Sequence, residues 1–526
     1  MMLRQKINKI KRRSYKLYNK LFIYLPVDIL IYFRNLLRGV RGVFRSEKSK
    51  SLIIFRHDGI GDYVLFRNFL EVLKKSPRFA SYKITLLGNA AWKDLAKFLD
   101  KDYIDEFIWL DKKRFTADFF YRYKKFKEIT AVKYDILIHP FSREFFNADN
   151  DLAFLIKADK KIGSIRLPRF TKPYKNKILE KIYNELIPDI ENVRFEFYKN
   201  KNFFEKLLPE TATGKINAEI SLNRPFINLP ARQAAATVSA VPAPVSAADL
   251  TSTSISPASA SSYAAPIPVS AAASAPAPAL SEENGLKSKL GISTPYAAFF
   301  IGASVKHRKW PPEYFAETAR YLHTKYGFHI VLCGGKSELN DAAEFKKHFP
   351  SDLADNASFT DAVGKISLIE LLYIVKDASL VISNETMAPH IAMALANAST
   401  VKTIKSNYFD KNSTLTDLTY QTAFTTSAPD APYMPAGFPS PTSAPALKPA
   451  VIVISTGEAS YGHFVPYPEE IGNNNYAAVF HPYIEQNLKE YDYITSTLGR
   501  GYDDRFDISE ITVKAVLDKI DEIMKQ

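Results

Sequence analysis

Short apolar runs alternate with amphipathic stretches along most of the chain. Residues 51–56 form a compact apolar run of strand length, and residues 63–75 repeat apolar positions at helical spacing through Leu65, Phe66, Phe69, Leu70 and Leu73. The same alternation predicts strands over 83–87, 106–110 and 134–139, with helices over 90–99 and about 115–128 between them. It resumes with strand 297–301, helix 313–326, strand 329–333 and helix 338–348. Helix 368–375, strand 379–383 and helix 386–396 follow. Strands and helices in this order build parallel sheets covered on both faces. The expected fold is α/β, with two Rossmann-like parallel-sheet lobes facing a cleft. Ligands of open parallel sheets bind beyond the carboxyl ends of the strands, so the cleft is the expected site.

Two segments break the pattern. Ala, Ser and Pro fill 36 of the 51 positions from 231 to 281, where only Arg232 and Asp249 are charged. Repeated Ala-Pro pairs disfavour a helix, and too few large side chains exist to bury a core, so this stretch reads as a linker. A second stretch of this kind runs over about 426–449, after which an apolar run resumes at Val451. The expected divisions are a basic segment over 1–50, an N-terminal lobe over 51–210 and a low-complexity linker over 211–290. A C-terminal lobe over 291–526 then carries a low-complexity insertion at about 399–449.

Charge changes the picture at the N-terminus. The 526 residues carry a formal net charge of +14, yet residues 1–50 hold fourteen Lys and Arg against Asp28 and Glu47, a net of +12. The remaining chain carries about +2, too little for the basic stripe that a nucleic-acid partner requires. Within the basic segment, residues 21–34 are apolar but interrupted by Pro26 and Asp28. That is too short and broken to span a bilayer. An interfacial anchor on an anionic membrane surface fits this pattern, and a basic helical extension packed on the folded lobe fits it too. The single Cys333 excludes an intramolecular disulfide and a cysteine-based zinc site.

Candidate chemistry gathers at the strand ends. Residues 56–62 read Arg-His-Asp-Gly-Ile-Gly-Asp. Gly59 and Gly61 allow close approach of another group to the backbone, while Val64 stands where a dinucleotide fingerprint needs its third glycine. Asp62, where a helix begins, is either an N-cap or a cleft carboxylate able to take a proton from a hydroxyl. Arg308 and Lys309, followed by Trp310 and two prolines, can clamp a diphosphate. Gly334 and Gly335 again allow close approach, and Glu338 can accept from a ligand hydroxyl or begin the helix. The amides of Thr386 and Met387, at a strand-to-helix junction, form an anion site, and His390 follows one turn later, where a lone histidine is more often packed in the core than functional. Arg143, past the strand over 134–139, is a candidate for an acceptor phosphate or carboxylate, or a surface ion pair. Asp100 with Asp102, and Asp149 with Asp151, have a spacing found in metal-dependent transferases, but neither pair ends an apolar strand, so both read as surface loops or helix ends. The nine histidines show no paired metal-ligand spacing.

Taken in order, these segments resemble glycosyltransferase family 9, the lipopolysaccharide heptosyltransferase family. The similarity covers roughly 51–165 and 295–397 and rests on Ile-Gly-Asp-Tyr from residue 60, Gly-Ala-Ser from 302, Arg-Lys-Trp-Pro from 308, Gly-Gly at 334, Gly-Lys-Ile-Ser-Leu from 364 and Ser-Asn-Glu-Thr-x-x-Pro-His from 383. The resemblance implies a GT-B fold with an N-terminal acceptor-binding lobe and a C-terminal nucleotide-sugar-binding lobe. It implies inverting, metal-independent transfer without a cofactor, from a nucleotide-diphosphate donor such as ADP-heptose to a lipopolysaccharide-type glycolipid or surface glycan. The setting would be the cytoplasmic face of the inner membrane. Carried over by position, Asp62 matches the general base, with Gly61 and Arg143 toward the acceptor. Arg308, Lys309, Gly334, Gly335, Glu385, Thr386, Met387 and His390 fall on the donor side. Glu385 replaces an Asp and Met387 a Gly of the family pattern, the latter narrowing the expected site. A non-catalytic protein of this fold that binds a nucleotide or glycan is the alternative. Residues 461–468 also resemble a Gly-Arg-Phe-x-Pro-Tyr-Pro segment of some members, with His463 in place of Arg.

Overall fold

The computed structural model describes residues 14, 18–40, 45–46, 50–140, 148–165, 173–190, 193–209, 224–229, 283–350, 358–409, 449–457, 461–472, 475–487 and 506–525. Its strands are β1 (Arg45–Ser46), β2 (Ser51–Arg56), β3 (Lys83–Asn89), β4 (Glu106–Leu110), β5 (Val132–His139), β6 (Ala158–Ile165) and β7 (Glu185–Pro188) in the first lobe. The second lobe holds β8 (Tyr296–Phe300), β9 (His329–Cys333), β10 (Phe359–Asp361), β11 (Leu380–Asn384), β12 (Ala450–Ser455) and β13 (Tyr476–Phe480). The first sheet runs β4-β3-β2-β5-β6-β7 with β1 also on β5, and the second runs β10-β9-β8-β11-β12-β13. Every pairing is parallel, as the alternating pattern predicts. Each sheet has its crossover of strand order beside its first long strand, between β2 and β5 and between β8 and β11. The sequence motifs leave the carboxyl ends of β2, β8 and β11, at these switch points.

Period-two alternation sorts the strand side chains. Leu52 and Ile54 face a central core shared with Val381 and Val453 of the other lobe. Ile53 and Phe55 face an outer core with Leu137, Phe126 and the N-terminal residues Val27 and Ile31. In the second lobe Phe299, Ile382 and Ile452 pack outward against Phe315, Leu322, Val516 and Ile520. The central core joins the two lobes.

Several boundaries differ from the expected ones. The helix expected over 63–75 is divided into Ile60–Val64 and Asn68–Lys75, because Arg67 turns between them to donate to Asp100 at 2.7 Å and to the Phe226 carbonyl at 2.9 Å. Asp100 stands at a helix end, as the C-cap of Lys93–Leu99, but it is buried and not on a surface loop, and it also accepts from the Tyr63 hydroxyl. The helix expected over 386–396 begins at Ala388 and continues to Phe409, across the expected start of the insertion. Two parts of the expected 211–290 linker are ordered. Glu283–Lys289 is a helix held by buried Leu286 and a Lys287–Asp377 ion pair of 2.8 Å. Residues 224–229 bridge the lobes: the Phe226 amide donates to Asn68 at 3.1 Å and the Ile227 amide to the Ala394 carbonyl at 2.9 Å. The Ala/Ser/Pro-rich positions 231–281 and 426–448 lie outside the described residues.

The N-terminal helix Leu25–Val40 docks on the first lobe. Asp28 pairs with buried Arg122 at 2.8 Å, and Arg122 also binds Asp151 at 3.0 Å. Asn35 donates to the Leu155 carbonyl, and Arg38 to the Thr130 and Ala131 carbonyls. Asp28, an interruption of the apolar run in the sequence, is thus the polar end of a docking contact, its carboxyl pushed up to about 7 by burial against the opposing pull of Arg122.

A second buried cation closes the carboxyl end of β2. Arg56 binds Asp58 at 3.0 Å, Glu196 at 2.7 Å and Asn200 at 2.5 Å, and its guanidinium lies 5.1 Å from the Phe66 ring. Burial opposes its charge, but the Asp58 and Glu196 carboxylates more than offset that and hold Arg56 above its ordinary pKa. Replacing Arg56 by Met leaves two buried carboxylates without a cation. Arg56→Met is expected to cost about 3–5 kcal/mol, read as a drop in the urea unfolding midpoint relative to wild type.

Candidate functional site

The segment after β2 is clamped from below. Asn89 donates to the His57 and Asp58 carbonyls at 3.2 and 3.0 Å, and the Trp92 indole N–H donates to the Asp58 carbonyl at 3.1 Å. These bonds deliver the chain to the short helix Ile60–Val64 with Gly59 as its N-cap. Asp62 is the third helical residue, not the cap: its Oδ2 accepts the Gly59 N–H at 3.0 Å. A half-buried carboxylate so placed closes the first helical turn.

The segment after β8 is anchored by Asn384, which sequence reasoning did not single out. Its Nδ2 donates to the Ile301 carbonyl at 2.8 Å, and its Oδ1 accepts the Trp310 N–H at 2.9 Å. The Trp310 indole donates to the Ile511 carbonyl at 2.8 Å. Between these anchors, Arg308 and Lys309 do not form one clamp. Lys309 is extended, and successive side chains of extended backbone point apart. Arg308 Nη1 lies 3.2 Å from Glu385 Oε1, whereas Lys309 Nζ lies 2.5 Å from Asp341.

After β9, Gly334 and Gly335 form the turn, and Glu338 accepts the Gly335 N–H at 2.8 Å. The Glu338 side chain lies over Gly302, where an added Cβ would meet its Cγ at 2.3 Å. Glycine at 302 lets the ends of β8 and β9 close together. Glu338 is thus a capping carboxylate here, in contact with backbone.

Beyond β11, Glu385 is buried, binding Arg308 through one oxygen and accepting from the Ser455 hydroxyl at 2.5 Å through the other. Thr386 Oγ1 accepts weakly from the Ala388 N–H at 3.4 Å. Among the described residues the amides of Thr386 and Met387 donate no hydrogen bond, so they stand at the head of the helix Ala388–Phe409 with its positive dipole end behind them. The Met387 side chain is partly buried and packs against the central core.

His390 joins the lobes. Its ring is buried, its Nδ1 lies 2.8 Å from the Tyr467 hydroxyl, and its Cδ2 is where a Cβ on Gly61 would come within 2.6 Å. Only a glycine at 61 permits this approach, so the helix bearing Asp62 meets the helix headed by Thr386 and Met387. Burial, with a smaller contribution from Arg308, pushes the His390 pKa down to about 4, and the ring is neutral at pH 7. Tyr467 belongs to the 461–468 segment, which also accepts the Glu196 N–H at the His463 carbonyl. Ser455 and Tyr467 were not singled out in the sequence; the Tyr-Pro resemblance at 467 was the available signal. Arg143 lies outside the described residues. Among the described residues no group of three His, Cys, Asp or Glu side chains is arranged to hold a metal ion.

Comparison with known proteins matches residues 261–399 to the model of glycosyltransferase family 9 (heptosyltransferase). A solved glycosyl transferase family 9 structure from Veillonella parvula superposes with a TM-score of 0.53 at 15% identity, covering 92% of this chain and 100% of that chain. An E. coli ADP-heptose lipopolysaccharide heptosyltransferase II gives 0.47 at 11% identity, covering 90% and 99%. An E. coli heptosyltransferase with ADP-2-deoxy-2-fluoro heptose gives 0.46 at 14% identity, also covering 90% and 99%. No curated protein matches the chain.

The depressed His390 pKa gives a signed pH dependence. The unfolded imidazole takes up its proton near pH 6.5 and the folded one near pH 4, so stability present above pH 6.5 is lost as pH falls toward 4. Between pH 7 and pH 5 wild type should lose about 2 kcal/mol more than His390→Gln, measured by chemical unfolding of both proteins at the two pH values.

Proposed function

We propose, from the premise that this chain is a glycosyltransferase carrying a family 9 domain, that it moves a heptose or related sugar from a nucleoside-diphosphate donor to a lipopolysaccharide-type glycolipid, with inversion and without a metal. The contact of Gly61 with His390 carries the reading. It brings the helix bearing Asp62 against the helix that Thr386 and Met387 precede, which supports a shared site with Arg308 and Glu385.

The acceptor hydroxyl attacks the anomeric carbon from the face opposite the diphosphate, forming the new C–O bond as the bond to the diphosphate breaks. Asp62 takes the hydroxyl proton. The departing diphosphate keeps the electron pair, and its growing charge is met by the Arg308 guanidinium and the two amides, where fixed donors lower the barrier most. Glu385 orients Arg308 through their ion pair. Lys309, held by Asp341, acts by fixing the 306–309 turn. ADP-heptose fits a site with an anion cradle and no resident cofactor. The acceptor lobe, through residues 1–50, works against the anionic cytoplasmic face of the inner membrane, with no nucleic acid as partner.

A transfer assay with a panel of nucleotide sugars and a glycolipid acceptor tests this. Asp62→Asn keeps an oxygen for the Gly59 N–H but cannot accept the proton, so turnover should fall about 10²–10⁴-fold with donor affinity retained. Unchanged turnover removes Asp62 from the mechanism, and donor binding without transfer by wild type defeats the reading. Transfer should also persist in EDTA; its complete loss would show that a metal takes part.

A further inference from the structure

Eleven of the fifteen exposed large hydrophobic side chains among the described residues fall between positions 18 and 40. The helix Leu25–Val40 divides them sharply. Val27, Ile31 and Asn35 are buried against the first lobe, and Arg34 and Arg38 point the same way, onto Thr130 and neighbouring carbonyls. At 100° per residue, Leu25, Ile29, Tyr32, Phe33, Leu36 and Leu37 occupy the opposite arc. Phe33 and Leu37 are each 56% exposed. Both arginines of this helix are therefore engaged in docking, and the outward face is apolar. The folded lobe adds to it: Phe154, 50% exposed, stacks on Tyr32 with ring centres 6.1 Å apart.

We infer that this helix face, together with Phe154, is a preset hydrophobic seat for a lipid bilayer surface, held rigidly on the lobe by the Arg122–Asp28 pair and not hung from it as an electrostatic tether. The inference rests on the membrane part of the proposed function and specifies its mode. Charge selects lipid over a second copy, since apposing two such faces would bring together two segments of net charge +12, whereas anionic headgroups complement them. No described helix is long and apolar enough to cross a membrane, so the helix lies in the interface with Tyr32 at headgroup level.

Flotation of the full-length protein with vesicles of phosphatidylethanolamine and phosphatidylglycerol tests the inference. Wild type should float and keep most of its binding at about 0.5 M salt, where screening acts over only about 4 Å. Phe33→Ser with Leu37→Ser should weaken binding at least about tenfold, and Phe154→Ser about threefold. The substituted side chains face solvent, so thermal unfolding and transfer to a soluble acceptor analogue should stay at wild-type levels; that assay separates failure of the seat from failure of the transferase reading. Stripping of wild type by salt, flotation of the variants like wild type, or a dimer that the double variant dissolves would each overturn the inference.

Discussion

A fully buried arginine at the end of one strand organises most of what lies above it. Arg56 gathers Asp58 on its own segment with Glu196 and Asn200 on the helix Glu196–Leu207, and Asn200 reaches back to the Leu65 carbonyl. The same helix receives a backbone bond from the second lobe, since the Glu196 amide donates to the His463 carbonyl. The turn that presents Asp62 is therefore fixed from beneath by charge and from the side by the other lobe. A buried cation of this kind adds little net stability when replaced as a whole by apolar groups, but losing one member is costly. Such an arrangement favours a single geometry over several, as the proposed role of Asp62 as proton acceptor would require.

Where Gly61 approaches His390, the two lobes meet through small and neutral groups. Gly61 offers no side chain, and His390 is kept uncharged by burial. A charged ring at that seam would demand water or a counterion between the lobes. The cations of the cleft are paired instead: Arg308 rests on Glu385 and Lys309 on Asp341. In the proposed reaction a diphosphate would compete with the Glu385 carboxylate for an Arg308 guanidinium that is already aligned.

Much of this was legible in the sequence. The strands at 51–56, 106–110 and 329–333 are compact apolar runs whose ends the pattern marks clearly. β6 was not found, because Lys160 and Lys161 interrupt its apolar alternation, and three-residue β10 is too short for any period. Asp62 and the head of the helix at 388 were placed by their neighbours in sequence. Asn384, Ser455 and Tyr467 were missed because each acts across the fold, on partners tens of residues away. The splitting of Arg308 from Lys309 follows from a local extended backbone that composition does not reveal. The Arg122 cluster was invisible for a different reason: in sequence Asp28 is only a flaw in an apolar run, and its partner lies 94 residues on.

Residues 224–229 carry a consequence for the long Ala/Ser/Pro-rich run that follows them. Phe226 is bonded to Asn68 in one lobe while Ile227 and Pro225 are bonded to Ala394 and Asn397 in the other. The spacing of the lobes is thus settled before the chain reaches residue 230, and the next described helix starts at Glu283, again on the second lobe. What comes between closes a loop whose two ends are already tied down, and the entropy of such a loop grows only with the logarithm of its length. Chain inserted or removed between residues 229 and 283 would start and end at points whose separation these bonds already set.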